Sequence, residues 1–247
     1  MSLSVPRRFV GDLLHVSRNI PIVTFERQAN LAALVQARKR LAQPPAWSVI
    51  VAKAFARVAS TRPELRRTYL SWPWPHLWEA DESVAAVAVE REYRGESGVF
   101  FGMLRSPEKQ PLVELNDIVR EWKTLPVEEV RPFHRIIRYS RWPLPLRRTL
   151  WWYVTAWSGK AKVKNLGTFG VSLTGSAGAT ATNLIGPLAA SLNMGVIGTD
   201  GRVDLRLHFD HRVLDGMAAA RALTELEEVL CTEVVEEIER GSKGSSS

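Results

Sequence analysis

Acidic residues are missing from one long stretch of this sequence: between Val130 and Thr199 there is neither Asp nor Glu. Cysteine is scarce as well. The single thiol, Cys231, excludes an internal disulfide framework and points to a reducing compartment, the cytoplasm. Among helical neighbours it reads as a small packing residue. No apolar run reaches the roughly 18 residues that would mark a membrane-spanning helix. The opening "MSLSVPRRFVGDLLHV" lacks the apolar core and cleavage site of a signal peptide. There are no internal repeats and no internal linker. No nucleic-acid-binding motif occurs, so no nucleic-acid partner is expected.

What is present fits an ordinary globular chain. It has 247 residues, 45% hydrophobic and 24% charged, enough for a sizeable core. The net charge of +7 is local. The acid-free stretch holds nine basic residues, which by themselves exceed the net charge of the whole chain. Four of the nine tryptophans fall there too, at positions 142, 151, 152 and 157. Arg141, Trp142, Arg147, Arg148, Trp151 and Trp152 suit a helix lying in a membrane interface, with indoles at headgroup depth and arginines on anionic lipid. The competing explanation is a core helix with snorkelling arginines, or a subunit contact.

Period and punctuation give alternating helices and strands. "IPIVTFE" reads as extended, and a helix follows with Leu31, Leu34, Val35 and Leu41 on one face and Asn30 as cap. Residues 45–65 form a second helix with a face of Val49, Ala52, Ala56 and Ala59, stopped at Pro63. "WPWPHLW" (72–78) cannot be a helix interior. Strands are expected over 83–93 and 98–106, and an amphipathic helix over 112–125. The basic region suggests one helix after Pro145 ending near Ser158 and Gly159. Strands over 192–199 and 202–210 flank the hairpin signal Asp200-Gly201. A final helix runs from Met217 to Glu239. The expectation is one α/β domain over 1–240 with a disordered tail, 241–247.

In "DLRLHFDH", strand alternation places Leu205, Leu207, Phe209 and His211 on one face, and Asp204, Arg206, His208 and Asp210 on the other. His211 is then expected to follow the apolar face inward, and His208 to point outward. A neutral imidazole at a strand end suits a general base; it equally suits a satisfied core histidine. Asp215 follows one turn later, near a helix start where its charge is favourable.

"DHRVLDG" (210–216) resembles the H-x-x-x-D-G signature of the catalytic domain of the dihydrolipoyl acyltransferases of 2-oxoacid dehydrogenase complexes. "NLGTFGV" (165–171) resembles that family's Asn-aliphatic-Gly-x-x-Gly segment. The segments 17–38, 49–65 and 192–198 resemble its first strand and helix, its second helix, and the strand before the last hairpin. The likeness spans roughly residues 15–235. It implies an α/β (α+β), chloramphenicol acetyltransferase-like two-layer sandwich, a mixed sheet with helices on one face. It also implies a homotrimer, with sites in channels between subunits. The implied activity moves an acyl group from a coenzyme A or acyl carrier protein thioester, with His211 as base and Asp215 holding geometry through an arginine, here Arg18. No metal is expected, and no covalently bound lipoate on this chain.

Three departures accompany the resemblance. Lipoyl and subunit-binding domains are lacking, so a stand-alone enzyme is expected. Where the family has a serine that donates to the oxyanion, this chain has Lys164. Either Lys164 replaces it, or Asn165, Thr168, Ser172 or Thr174 serves that site, or the chain is a catalytically silent scaffold. The Trp/Arg-rich region 131–162 is unlike the family. It suggests peripheral attachment to the inner face of the membrane and a lipidic acceptor.

Overall fold

The computed structural model describes residues 3–173, 178 and 181–244, the last three by backbone alone. Helix α1 (Val5–Ser17) starts at Ser4, whose hydroxyl accepts the Arg7 N–H at 3.3 Å. Strand β1 (Ile22–Asn30) leads into α2 (Ala32–Lys39), and Asn30 Oδ1 accepts from Ala32 N at 3.1 Å. Helix α3 (Trp47–Thr61) is buried on most sides and ends before Pro63. Two short strands, β2 (Arg67–Leu70) and β3 (His76–Glu79), form a separate ribbon around the proline-rich "WPWP". Strands β4 (Val84–Tyr93) and β5 (Glu96–Arg105) form a hairpin whose turn residues, Arg94 and Gly95, both have positive φ, as a tight twisted hairpin requires. Helix α4 (Leu112–Thr124) follows.

The basic region holds three helices where one was expected. They are α5 (Arg131–Ser140), α6 (Leu144–Trp152) and α7 (Gly159–Leu166), with a wide π turn over Tyr153–Trp157 between the last two. Proline causes the division. Pro132 and Pro145 sit in the first turns of α5 and α6, where a missing N–H costs nothing. Ser158 restarts the chain by accepting Ala161 N at 3.2 Å.

Strands β6 (Phe169–Val171), β7 (Ala190–Met194) and β8 (Arg202–Asp210) complete the sheet. The last helix is broken at Thr232 into α8 (Gly216–Cys231) and α9 (Glu233–Gly244). It thus continues four residues into the segment expected to be a tail. The sheet order is β1-β8-β7-β6-β4-β5, parallel at β4–β6 and β6–β7 and antiparallel elsewhere.

Register sorts the residues into two faces. The first carries Leu205, Leu207 and Phe209 of β8 opposite Met194, Leu192 and Ala190 of β7, with Phe169, Val171, Ala85 and Val87 beyond. Helices α3, α4 and α8 cover it, and these residues belong to one continuous core. Gly102 lies under Trp122 of α4; a Cβ there would stand 2.2 Å from the indole. The second face is polar along β1, β8 and β7 and apolar along β4 and β5. Helix α1 reaches only its apolar part, where Phe9 packs against Phe101 at 6.0 Å.

Candidate active site

The turn after β8 is tied down by its own side chains. Asp210 accepts from the Arg212 guanidinium at two points, Nε to Oδ1 at 2.9 Å and Nη2 to Oδ2 at 2.7 Å. Its Oδ1 also accepts the Arg212 backbone N–H at 3.0 Å, and its carbonyl accepts from Val213 and Leu214. The Arg212 guanidinium lies 4.1 Å from the centre of the Tyr69 ring. Lys162 of α7 is buried beside this pair and donates to the Tyr69 carbonyl at 3.2 Å. Burial pushes its amine down to about 8; Asp210 pulls the other way and Arg212 adds to the fall. Tyr69, Lys162, Asp210 and Arg212 therefore make a platform from three distant segments. Sequence reasoning missed it. The "DHR" triplet was the available signal, read only for its histidine.

His211 lies between Asp210 and Arg212 in this turn. The expectation that it follows the apolar face inward fails, because β8 ends at Asp210 and the imidazole is exposed. Its backbone N–H donates to Pro21 O at 3.0 Å, and its ring meets Phe209 edge-on at 5.8 Å. His208 reverses its expectation too. It is 1% exposed, on the second face, not outward. It shares a 2.8 Å hydrogen bond between Nδ1 and Thr24 Oγ1, directly across the ladder. Burial first, and Arg206 second, lower its pKa and keep it neutral.

Asp215 is the N-cap of α8, accepting Ala218 N at 2.7 Å. Arg18, expected as its partner, caps the other end of α1, is exposed, and makes no ion pair among the described residues. The carboxylate is engaged by backbone instead.

The Asn-Leu-Gly segment enters the sheet two strands from β8, roughly 10 Å away at ordinary strand spacing. Gly167 has φ +90°, and a Cβ there would stand 2.7 Å from Val84 O, so the glycine of this motif is dictated by backbone approach. Lys164 lies in the last turn of α7 and is exposed. Thr168 is removed from the oxyanion candidates. Its buried hydroxyl accepts Val84 N at 2.9 Å and donates to Val84 O at 3.1 Å. Asn165 Nδ2 donates to Ala161 O at 2.7 Å. Ser172 lines a cavity on the second face. Thr174 lies outside the described residues.

The Trp/Arg cluster divides. Arg147 is 9% exposed and pairs with buried Asp12 at 3.0 Å, while Arg148 approaches the same carboxylate at 3.6 Å. Trp151 packs on Phe9 at 5.9 Å. Arg147 and Trp151 thus face inward, contrary to the surface role expected of them, because α1 brings an apolar face and an acid against α6. Trp142 stays exposed, and Arg141 donates to Tyr93 Oη at 2.9 Å. Trp152 stands in an exposed trio with Trp72 and Trp157, with centroids 5.6–6.3 Å apart.

No protein-family model and no curated protein matches the sequence. Solved structures do match. The fold is the acyltransferase fold of chloramphenicol acetyltransferase, with a TM-score of 0.50, 16% identity, and 93% of this chain and 96% of that one covered. The likeness is greater to dihydrolipoamide acetyltransferases. A probable one from Listeria monocytogenes gives a TM-score of 0.65 at 19% identity, covering 93% of each chain. That of Azotobacter vinelandii, in which a serine, a histidine and an asparagine were studied for their role in catalysis, gives 0.68 at 20%, covering 94% and 90%.

Proposed function

We propose that this chain is a stand-alone acyltransferase that moves an acyl group from a thioester of coenzyme A, or of an acyl carrier protein, to a hydroxyl, thiol or amine. One observation carries the reading: an exposed imidazole, His211, held on a pinned turn at the end of an inner strand, β8, in an acyltransferase fold. Asp215 follows it by four residues, the separation of the histidine and asparagine studied in the Azotobacter protein. His211 takes the acceptor's proton as the acceptor attacks the thioester carbonyl. Lys164, Asn165 or Ser172 supplies the oxyanion donor. Exposed Lys160 and Lys164 on α7 suit the phosphates of a coenzyme A donor.

His211 and Lys164 are both exposed and lie on separate elements, so one chain does not close a site around a substrate. A second copy supplies the missing wall, and the proposed working unit is a homotrimer. The exposed indoles of Trp72, Trp142, Trp152 and Trp157, with Arg141 and Arg148 nearby in sequence, support a peripheral cytoplasmic membrane enzyme with a lipidic acceptor. Sedimentation with anionic liposomes at low salt tests that part; a protein left wholly in the supernatant overturns it.

A second reading, a catalytically silent trimeric scaffold, is favoured by Lys164 at the serine position and by the engaged Thr168 hydroxyl. Release of free coenzyme A from a panel of thioesters separates the two. His211→Ala is expected to lower release by about 10²–10⁴-fold. Undiminished release in that variant overturns the base assignment, and no release from any donor–acceptor pair favours the scaffold.

A further inference from the structure

Two cavities lie under α1 and the acid-free segment. One, of about 150 Å³, is bounded by α1, α5, α6 and α7 and includes Asp12, Arg135, Arg147 and Trp151. The other, of about 140 Å³, sits on the apolar part of the second sheet face, over Ala86, Ala88, Phe101 and Met103, and reaches Ser172 and Ser191. Phe9, Ile136, Asn165 and Leu166 line both. The cavities therefore adjoin across these four residues. Among the described residues the second has no charged lining residue, and an apolar cavity of about this size takes an apolar guest such as benzene. Together the two approach the roughly 300 Å³ of the smaller ligand sites.

The charge is at one end. Asp12, Arg135 and Arg147 are the charged groups among the described lining residues, all in the first cavity. Asp12 is a single carboxylate facing both Arg147 and Arg148. With Arg135 on the wall, that end has an excess of positive charge. Arg147 Nε is buried and has no hydrogen-bond partner. Nε is thus a charge-assisted donor that Asp12 does not use, on a side chain that lines the cavity. Small residues at positions 86 and 88 leave the other end open to a chain.

We infer that the paired cavities bind one straight-chain aliphatic carboxylate. The carboxylate is taken by Arg147 Nε and Arg135, and the chain runs past Phe9 and Leu166 over Ala88. The inference is argued from Arg135, Arg147, Phe9, Leu166 and Ala88, none of which belongs to the His211 turn; Asn165 and Ser172, offered above as oxyanion donors, line the cavities but carry no part of it.

Titration calorimetry and thermal shift on the full chain, with decanoate, decanol and acetate as probes, test it. Decanoate is expected to bind saturably and raise the melting temperature. Decanol should bind about tenfold more weakly or worse, having lost a charge-assisted hydrogen bond. Acetate should not register, because it leaves the chain cavity empty. Ala88→Phe and, should that variant fold poorly, Leu13→Trp fill the second cavity and should each weaken decanoate by about tenfold or more. The triple variant Asp12→Asn/Arg135→Gln/Arg147→Gln, which removes both guanidinium groups that take the carboxylate and the acid that pairs with one of them, should make decanoate no better than decanol. Equal affinity of decanoate and decanol for the unaltered chain overturns the carboxylate assignment. Affinity unmoved by cavity filling overturns the seat, and no saturable binding of either overturns the site. A chain that turns over thioesters yet ignores decanoate loses this inference and keeps the acyltransferase reading.

Discussion

The two faces of the six-stranded sheet are made from alternate residues of the same strands, yet they are different materials. The first is aliphatic and aromatic throughout and closed by α3, α4 and α8. The second buries His208 and Asp210 along β8, then changes to Ala86, Ala88 and Phe101 beneath one cavity. The first face holds the fold together by close packing. The features that chemistry could use lie on or beyond the second: an uncharged buried histidine on the face itself, a pinned histidine turn just past the end of β8, and a charged pair between α1 and α6. Buried polar groups are costly, and stability on this side depends on pairing more than on area.

Four substitutions bear on that contrast. The largest effect should come from the first face. Phe209→Ala removes a fully buried ring and is expected to cost about 4–5 kcal/mol in urea unfolding; a cost near 1 kcal/mol would mean the face is not tightly packed. Next is Asp12→Ala beside the cavities, which leaves the buried Arg147 without its carboxylate. It should cost about 3–4 kcal/mol. A much smaller loss would place the guanidinium in water and weaken the contrast between the faces.

Lys162→Met tests the platform through pH. The folded amine titrates near 8 and the unfolded one near 10.5. Between those values the unfolded chain holds a proton that the folded chain has released, so stability rises with pH over that window. The wild type should gain on the order of 2–3 kcal/mol relative to Lys162→Met from pH 8 to 10.5. Parallel curves for the two proteins would show that Lys162 is not buried beside Asp210. The smallest effect belongs to Asp215→Ala, which removes the α8 cap and should lower stability by about 1 kcal/mol. An activity loss far beyond that change would give Asp215 a role in the reaction as well as in the helix.

Much of the framework was legible in the residues themselves. The alternation in β8, the Asp200-Gly201 turn, the helix before Pro63 and the exclusion of helix from 72–78 are local properties, and the structure has all of them. Gly167 was legible as part of a motif, though only Val84 O shows why no side chain fits. The three helices of 131–166 were not legible: one helix after Pro145 was expected, whereas Pro132 sits in the first turn of an earlier one and the π turn before Ser158 divides the rest. His208 was misjudged because a period of two says which residues share a face, not what covers that face. His211 was misjudged because alternation was carried one residue past the last rung of the ladder.

By itself, then, the sequence determined which residues lie together on each strand and helix, the likeness to the acyltransferase fold, and the histidine worth testing. The tertiary structure alone decided burial and partnership. Asp12 and Arg147 stand 135 positions apart, and Tyr69, Lys162 and Asp210 come from three separate elements. Local periodicity is set by backbone geometry within a few residues. Charge pairing and cavity volume are set by which distant elements the chain packs against them.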